Sequence, residues 1–397
     1  MKIELLLERE PFWEILFSTL DAYYQNIDGK KRSFQLRNKK IKDLFNGNIF
    51  LVNSKLNIIF NPHVDKNIFS QTKKEFSYHP NRLKRWMQTT YVNLATTFPF
   101  SIVFADHILE ISPLIPHSDN ILILGGNNRL RIIDLESNSM IVILKDGFDR
   151  YFLDNEVLLR ENLLNLDIPK FISSDSSNSF FTEEIISGTP INRLHDNQSS
   201  EKALEQAILN LQKMYNQTIE TITLSQYTSQ LQNEVDELVS NNVFSSMENR
   251  VRKVCEQLFS FKQNDSVVNL AMTHGDFQVA NILLDKNNIW LIDWENAKKR
   301  SVNYDALTFV LNARMLDQFY STFLMFSQQG KKDQYDLFKK HLSHLDDNDR
   351  GPMLRVFLIE NLIFALQQNN NESFYSFDNY LVDYLEILEK IVKDMHS

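Results

Sequence analysis

The sequence has little in it that could cross-link the chain, interrupt it or anchor it. One cysteine, Cys255, stands alone among 397 residues, so neither an intramolecular disulfide nor a cysteine-based zinc site is open to the chain. Nine glycines and nine prolines leave little scope for low-complexity linkers. Long hydrophobic runs are missing as well. A membrane helix needs roughly 18 or more apolar residues, and the most apolar stretch, 353–366, is broken by Arg355, Glu360 and Asn361. Positive charge is in deficit, with 42 Lys and Arg against 51 Asp and Glu and a net charge of -9. That balance argues against nucleic acid, which calls for a basic face. The short basic runs 30–32 and 82–85 read as solvated surface. The opening MKIELLLEREPFWEILF puts acids and Pro11 where a secretion signal needs an apolar core, so a cytoplasmic location is expected.

What is present is ordinary globular material, 43% hydrophobic and 23% charged, in a chain longer than one core usually serves. Residues 1–117 read as an α+β extension with a helix over 12–24, a strand pair at 48–52 and 56–60, and a helix near 82–94. No recognisable chemistry lies there. From residue 120 the texture becomes β-rich, with runs at 121–124, 130–135 and 140–144 separated by Gly125-Gly126-Asn127-Asn128 and by 136–139. This predicts an antiparallel meander. A helix over 152–163 and strands at 168–172 and 179–186 complete a small lobe of five strands and one helix, 118–187. Residues 188–397 read as mostly helical, beginning with Leu204, Ile208, Leu211 and Tyr215 at helical spacing behind Ser200 as N-cap.

One segment interrupts the helical half. Residues 272–294 read MTHGDFQVANILLDKNNIWLIDW: a His-Gly-Asp turn, an Asn five residues after the Asp, and apolar β-formers flanking Asp285-Lys286-Asn287-Asn288. Folded as a hairpin, this brings Asn281 beside Asp293 and aims two hard oxygen ligands at one point, as magnesium prefers. Asp276, just before, is placed to orient a hydroxyl and take its proton.

His274-Gly275-Asp276-x4-Asn281 followed by Ile292-Asp293-Trp294-Glu295 resembles the aminoglycoside phosphotransferase and choline kinase family, whose fold is that of protein kinases. The resemblance runs over about 118–310. It implies a two-lobed α+β kinase-like fold, ATP and Mg²⁺ as cofactors, Asp276 as catalytic base, and Asn281 and Asp293 as metal ligands. Met140 to Asp146 resembles the third kinase strand, with Lys145 as the phosphate-binding lysine and Glu156 as its ion-pair partner. Residues 181–191 resemble the interlobe hinge, where backbone groups near Glu184 and Ile186 would meet adenine. Gly126 and Asn128 stand as phosphate-loop candidates, although the turn is not the G-x-G-x-x-G loop. Gln278, Val279 and Ala280 replace the His, Pro and Gly of many relatives.

Among supporting residues, His274 is expected to brace the loop rather than move protons. Asp305 is expected to cap a helix and bond the catalytic loop. Trp294 reads as core, and Glu295 as a ligand of a second metal or, at least as well, a solvated or hydrogen-bonded acid. The expected partner is a small molecule bearing a hydroxyl. Its class stays open between an amine such as choline, a sugar and an aminoglycoside, with the aromatics and acids of 374–384 offering a cation-π contact or plain core. Two rival readings are a pseudokinase that binds nucleotide without turnover and an atypical protein kinase. The short path from Asp293 to Asp305 leaves no room for the long activation segment of the latter.

Overall fold

The computed structural model describes every residue except 1, 41–48, 164, 176–178, 195, 261–265, 287, 330–332, 346–349, 378, 396 and 397. The chain divides into two compact units, one of 1–161 with 169–189 and the other of 162–168 with 190–397. Elements of both classes appear throughout, so the chain is α+β.

In the first unit, helix α1 (Ile3–Arg9) leads through Glu10 and Pro11 into α2 (Phe12–Asp28). Phe12, Ile15, Leu16, Leu20, Tyr23 and Tyr24 recur at helical spacing and are buried, so one face of α2 is apolar. Gly29 ends the helix in the left-handed region, φ 74°, where a side chain would be strained. Four strands follow within the extension: β1 (Ser33–Arg37), β2 (Ile49–Asn53), β3 (Ile58–Phe60) and β4 (His107–Ser112). Between the last two come α3 (Ser70–Phe76), α4 (Arg82–Ala95) and α5 (Phe100–Phe104). The meander is β5 (Ile121–Leu124), β6 (Arg129–Asp134) and β7 (Ser139–Leu144), followed by α6 (Tyr151–Asn162), β8 (Phe171–Asp175) and β9 (Phe180–Glu184).

The expected five-stranded sheet is therefore only part of what forms. All nine strands join one sheet in the order β1-β4-β2-β3-β5-β6-β7-β9-β8, antiparallel throughout. The join is β3 to β5, with Ile59 opposite Ile123 and Phe60 opposite Leu122. Strand alternation then divides the apolar side chains between two faces. One face packs Phe50, Leu109, Ile123, Ile132 and Ile143 against α1 and α2. The other packs Leu51, Ile58, Leu122 and Ile133 with Val92, Ala95 and Ile102 of α4 and α5.

The second unit is helical around two small sheets. Strand β10 (Thr189–Pro190) leads in, and the helices are α7 (Asn197–Thr218), α8 (Leu224–Val239), α9 (Glu248–Phe259), α10 (Tyr304–Val310), α11 (Leu316–Gln329), α12 (Asp333–His341), α13 (Arg350–Asn369) and α14 (Asn379–Met395). Helix α7 is capped by Asp196, which accepts from the N–H groups of Gln198 and Ser199; Ser200, the expected cap, lies inside the first turn. The strands β11 (Glu220–Thr223), β12 (Val267–Thr273), β13 (Ile282–Asp285), β14 (Asn288–Leu291) and β15 (Lys298–Ser301) form the sheets β10-β13-β14 and β11-β12-β15. The sequence reading anticipated only β13 and β14. Helix α13 is buried nearly all round, as a central helix is. Cys255 lies buried in α9, where burial pushes its thiol up to about 12. Among the described residues no helix is long and apolar enough to cross a membrane.

Candidate active site

The loop 274–281 hangs between β12 and β13, and its shape is set by Gly275 and Asp305. Gly275 sits at φ 83°, and a Cβ there would lie 2.0 Å from the Asn296 carbonyl oxygen, so no other residue fits. Asp305, in the first turn of α10, is fully buried. Its Oδ2 accepts from the His274 N–H at 2.7 Å and its Oδ1 from the Gly275 N–H at 3.0 Å. The Tyr215 hydroxyl donates to the same carboxylate at 3.0 Å, and burial with this negative neighbour pushes that phenol well above its usual range. Asp305 thus anchors the loop as expected but does not cap α10, whose N-cap position is Asn303.

His274 braces the loop. Its Nδ1 accepts from the Asp276 N–H at 3.3 Å, which leaves Nε2 as the protonated nitrogen donating to the Ile292 carbonyl at 3.0 Å. The ring lies 4.4 Å from the Trp294 ring, which is core. The β13–β14 hairpin pairs Ile282 with Leu291 and Asp285 with Asn288. Asn281 then stands opposite Ile292, bonded carbonyl to N–H at 3.1 Å, and Asp293 follows at φ 69°. Asn281 Nδ2 donates to the Asp276 carbonyl at 2.9 Å and to Asp276 Oδ2 at 3.0 Å. Its Oδ1 has no hydrogen bond among the described residues.

Arg314, on the loop after α10, has no counterpart in the sequence reading. Its Nε donates to Asp276 Oδ1 at 2.7 Å and its Nη2 to the Gly275 carbonyl at 2.7 Å. Further bonds run to Asn361 at 2.6 Å and to the Tyr380 and Tyr304 hydroxyls at 3.2 and 3.3 Å. The guanidinium lies 3.7 Å from the Phe364 ring centroid. Burial works against its charge, but Tyr304, Tyr380 and Asp276 outweigh that and hold its pKa well above the usual arginine value. Lone arginines beyond a motif carry no sequence signal of such a role. With Gln278 Nε2 donating to Asp276 Oδ2 at 2.8 Å, both oxygens of Asp276 are held in place.

In the first unit the expected Lys145–Glu156 pair does not form. Ile143 packs against α1 and α2, and Lys145, two residues on, keeps to that face. Its Nζ donates to Glu10 Oε1 at 2.5 Å and to the Asn127 carbonyl at 3.0 Å, with both charged side chains fully buried. Glu156 is bound on the other face. It accepts from Arg129, which faces Leu144 in register, and from Arg160 at 2.5 Å; Arg160 also pairs with Glu183 at 2.7 Å. Burial would push the Glu156 carboxyl up, but Arg129 and Arg160 outweigh it and hold it low. The Glu183 carboxyl is pushed up, by burial and by Glu156, despite Arg160 and Arg131.

The Gly125–Asn128 turn is fixed from the extension. Arg9 Nη2 donates to the Asn127 carbonyl at 2.6 Å, and Asn57 exchanges two bonds with Gly125. Gly126 has no room for a Cβ, which would lie 2.5 Å from the Arg129 carbonyl oxygen. The Asn128 carbonyl accepts from the Lys145 N–H. In the segment 181–191 the Glu184 N–H is taken by the Lys170 carbonyl at 3.0 Å, whereas Ile186 makes no backbone hydrogen bond among the described residues. Lys74 of α3 donates to the Ser187 carbonyl at 2.5 Å.

No family model and no curated protein matches the sequence. Solved structures do resemble the fold. A thermostable mutant of an aminoglycoside phosphotransferase, in ternary complex with ADP and hygromycin B, is 14% identical with a TM-score of 0.44, over 70% of this chain and 94% of that one. A choline/ethanolamine kinase family protein from Mesorhizobium loti is 13% identical with a TM-score of 0.41, over 77% and 95%. The ethanolamine kinase of Plasmodium vivax is 12% identical with a TM-score of 0.40, over 84% and 99%.

Proposed function

We propose that the chain is an ATP- and Mg²⁺-dependent phosphotransferase that transfers the γ-phosphoryl group to a hydroxyl of a small molecule. The observation that carries this reading is the loop in which Asp276, with both oxygens fixed, sits hydrogen-bonded to Asn281 at the mouth of a hairpin whose second strand is followed, two residues on, by Asp293. An oriented carboxylate beside two oxygen ligands is the arrangement phosphoryl transfer uses.

The donor set suits magnesium. Among the described residues no three His, Cys, Asp or Glu side chains converge on one point, and magnesium needs only one or two protein oxygens, the rest coming from water and phosphate. Asn281 Oδ1 and the Asp293 carboxylate would hold it. Bound there, the ion would neutralise charge on the phosphates. In the transfer itself the acceptor oxygen bonds to the γ-phosphorus and the bond from that phosphorus to the β,γ-bridging oxygen breaks. ADP leaves with the electron pair, and the acceptor's proton passes to the Asp276 carboxylate. Little base strength is required of Asp276, because the transition state is loose and positioning dominates.

Lys145, buried against Glu10, is poorly placed for the phosphate role. Arg129 is the other cation beside the glycine turn: it opens the strand that follows and, buried like Lys145, is held by Glu156. The same burial of Lys145 favours a second reading, nucleotide binding without turnover.

Calorimetry and turnover separate the two. ATP is expected to bind only weakly without Mg²⁺, Asp293→Ala to abolish metal-supported turnover, and Asp276→Asn to lower turnover by about 10²–10⁴ while ATP binding persists. Wild-type turnover in Asp276→Asn, or ATP binding indifferent to Mg²⁺, refutes the phosphotransferase.

A further inference from the structure

We infer, resting on the reading of Asp276 as the residue that aligns the acceptor, that the acceptor is an uncharged polyhydroxylated molecule of the sugar or polyol class and not an ammonium compound. A cavity of about 140 Å³ adjoins the catalytic loop and is lined by Gln278, Thr308, Asn312, Arg314 and Gln334, with apolar contributions from Val279, Phe309 and Met315. It touches Asp276 through two of these residues, since Gln278 and Arg314 each bond one of its oxygens.

The lining is a set of neutral hydrogen-bonding groups. Thr308 is 2% exposed and its hydroxyl has no partner among the described residues, which in a buried hydroxyl calls for a bound polar group. The Asn312 and Gln334 amides make no hydrogen bonds among the described residues, and the Gln278 amide oxygen is likewise uncommitted. Together they offer donors and acceptors to several hydroxyls at once, the recognition that a polyol needs.

Recognition of an ammonium group is strongest with a carboxylate or an open aromatic face, and among the described residues the lining provides neither. Among the described residues it contains no acid, and its one charge is the Arg314 guanidinium. Asp276 is already paired with that guanidinium. The aromatic faces near the loop are taken as well: Arg314 covers Phe364, Tyr380 donates to the Ala313 carbonyl, and Tyr380 stacks on Tyr384. Phe309 lines the cavity but packs against Phe277 and Phe338. In the aromatic segment 374–384 Tyr384 is buried and Phe377 stacks on Phe244, while the exposed Tyr375 is not among the residues that line the cavity, and Asp378 lies outside the described residues. An incoming cation would meet a fixed positive charge in a partly buried site, where repulsion is poorly screened.

The test is phosphate transfer from ATP to matched acceptors, using the full chain with Mg²⁺. Hexoses, an N-acetylated amino sugar and linear polyols are compared with the free amino sugar, choline, ethanolamine and kanamycin. The expected result is kcat/KM at least tenfold higher for an uncharged acceptor than for its ammonium counterpart. Thr308→Val should raise the acceptor KM about tenfold and leave the KM for ATP unchanged, and Asn312→Asp should shift preference toward the ammonium compounds. Better turnover of choline, ethanolamine or kanamycin overturns the inference. So does an unchanged acceptor KM in Thr308→Val, or no transfer to any sugar or polyol while Mg²⁺-dependent ATP hydrolysis persists. Loss of both ATP binding and hydrolysis in the wild-type chain would instead refute the phosphotransferase reading beneath it.

Discussion

Asp305 shows how much of the site depends on one residue that does no chemistry. Two loop N–H groups and the Tyr215 hydroxyl end on its carboxylate, all of them buried. Replacing it with alanine leaves three polar groups without partners, at about 1–3 kcal/mol each if none is rehydrated. Urea unfolding of Asp305→Ala is therefore expected to show a loss of about 3–5 kcal/mol, with kcat falling because Gly275 and Asp276 are no longer held. Glu360 makes a second prediction. Burial raises its carboxyl to about 7, although Tyr227, the Ser301 N–H and the Ser301 hydroxyl all donate to it. The folded state then holds a proton that the unfolded chain releases near its ordinary value of 4.5. Stability from this group is full below about pH 4.5 and lost as pH rises through about 7, a swing of about 3 kcal/mol. In Glu360→Gln that component disappears, so the difference in unfolding free energy between the two proteins should change over this window and stay flat outside it.

At the level of elements, the hairpin and the meander were legible because their turns are marked and their strands alternate. The hairpin was expected at 282–284 and 289–292 and forms at Ile282–Asp285 and Asn288–Leu291. Strands β1 and β4 were not read, since they pair over a distance, Ser33 with Ser112 through Arg37 with Ile108, and no local turn announces them. The side on which Lys145 falls was equally invisible: a strand alternates every residue, so a resemblance over 140–146 fixes the lysine's place in line but not its face. The structure sets it against Glu10, the residue just after α1. A buried pair of this kind is destabilised by about 3–5 kcal/mol when one partner is removed, yet often tolerates apolar replacement of both. Glu10→Leu alone should therefore lower stability by that amount. Glu10→Leu with Lys145→Met should recover most of it, as read by denaturant midpoints, and should leave Mg²⁺-dependent ATP binding in place if Arg129 serves the phosphates.

Across the whole molecule, the reading of residues 1–117 as an appended extension gives way to a shared sheet. Four of nine strands come from that segment, and α1 and α2 cover Ile121, Ile123, Ile132 and Ile143 on one face. A chain beginning at residue 118 would expose that face and the β5 edge together, a combination that favours aggregation. It is expected to show no cooperative thermal transition and to be recovered largely insoluble, whereas the full chain should give a transition by circular dichroism. Sequence alone could not show this dependence, because the decisive contact, Ile59 opposite Ile123, joins residues more than sixty positions apart.

The single thiol, closed inside α9, makes the chain a ready-made blank for spectroscopic labelling. Only the thiolate reacts with maleimides, and Cys255 is both buried and pushed up to about 12, so the native protein should take up no label at neutral pH and one equivalent in denaturant. New cysteines at the exposed Leu158 and Tyr375, one in each unit, could then carry a donor and an acceptor dye with no native site to silence. The distance between the two units, followed with and without ATP, would be read directly on a chain otherwise unaltered.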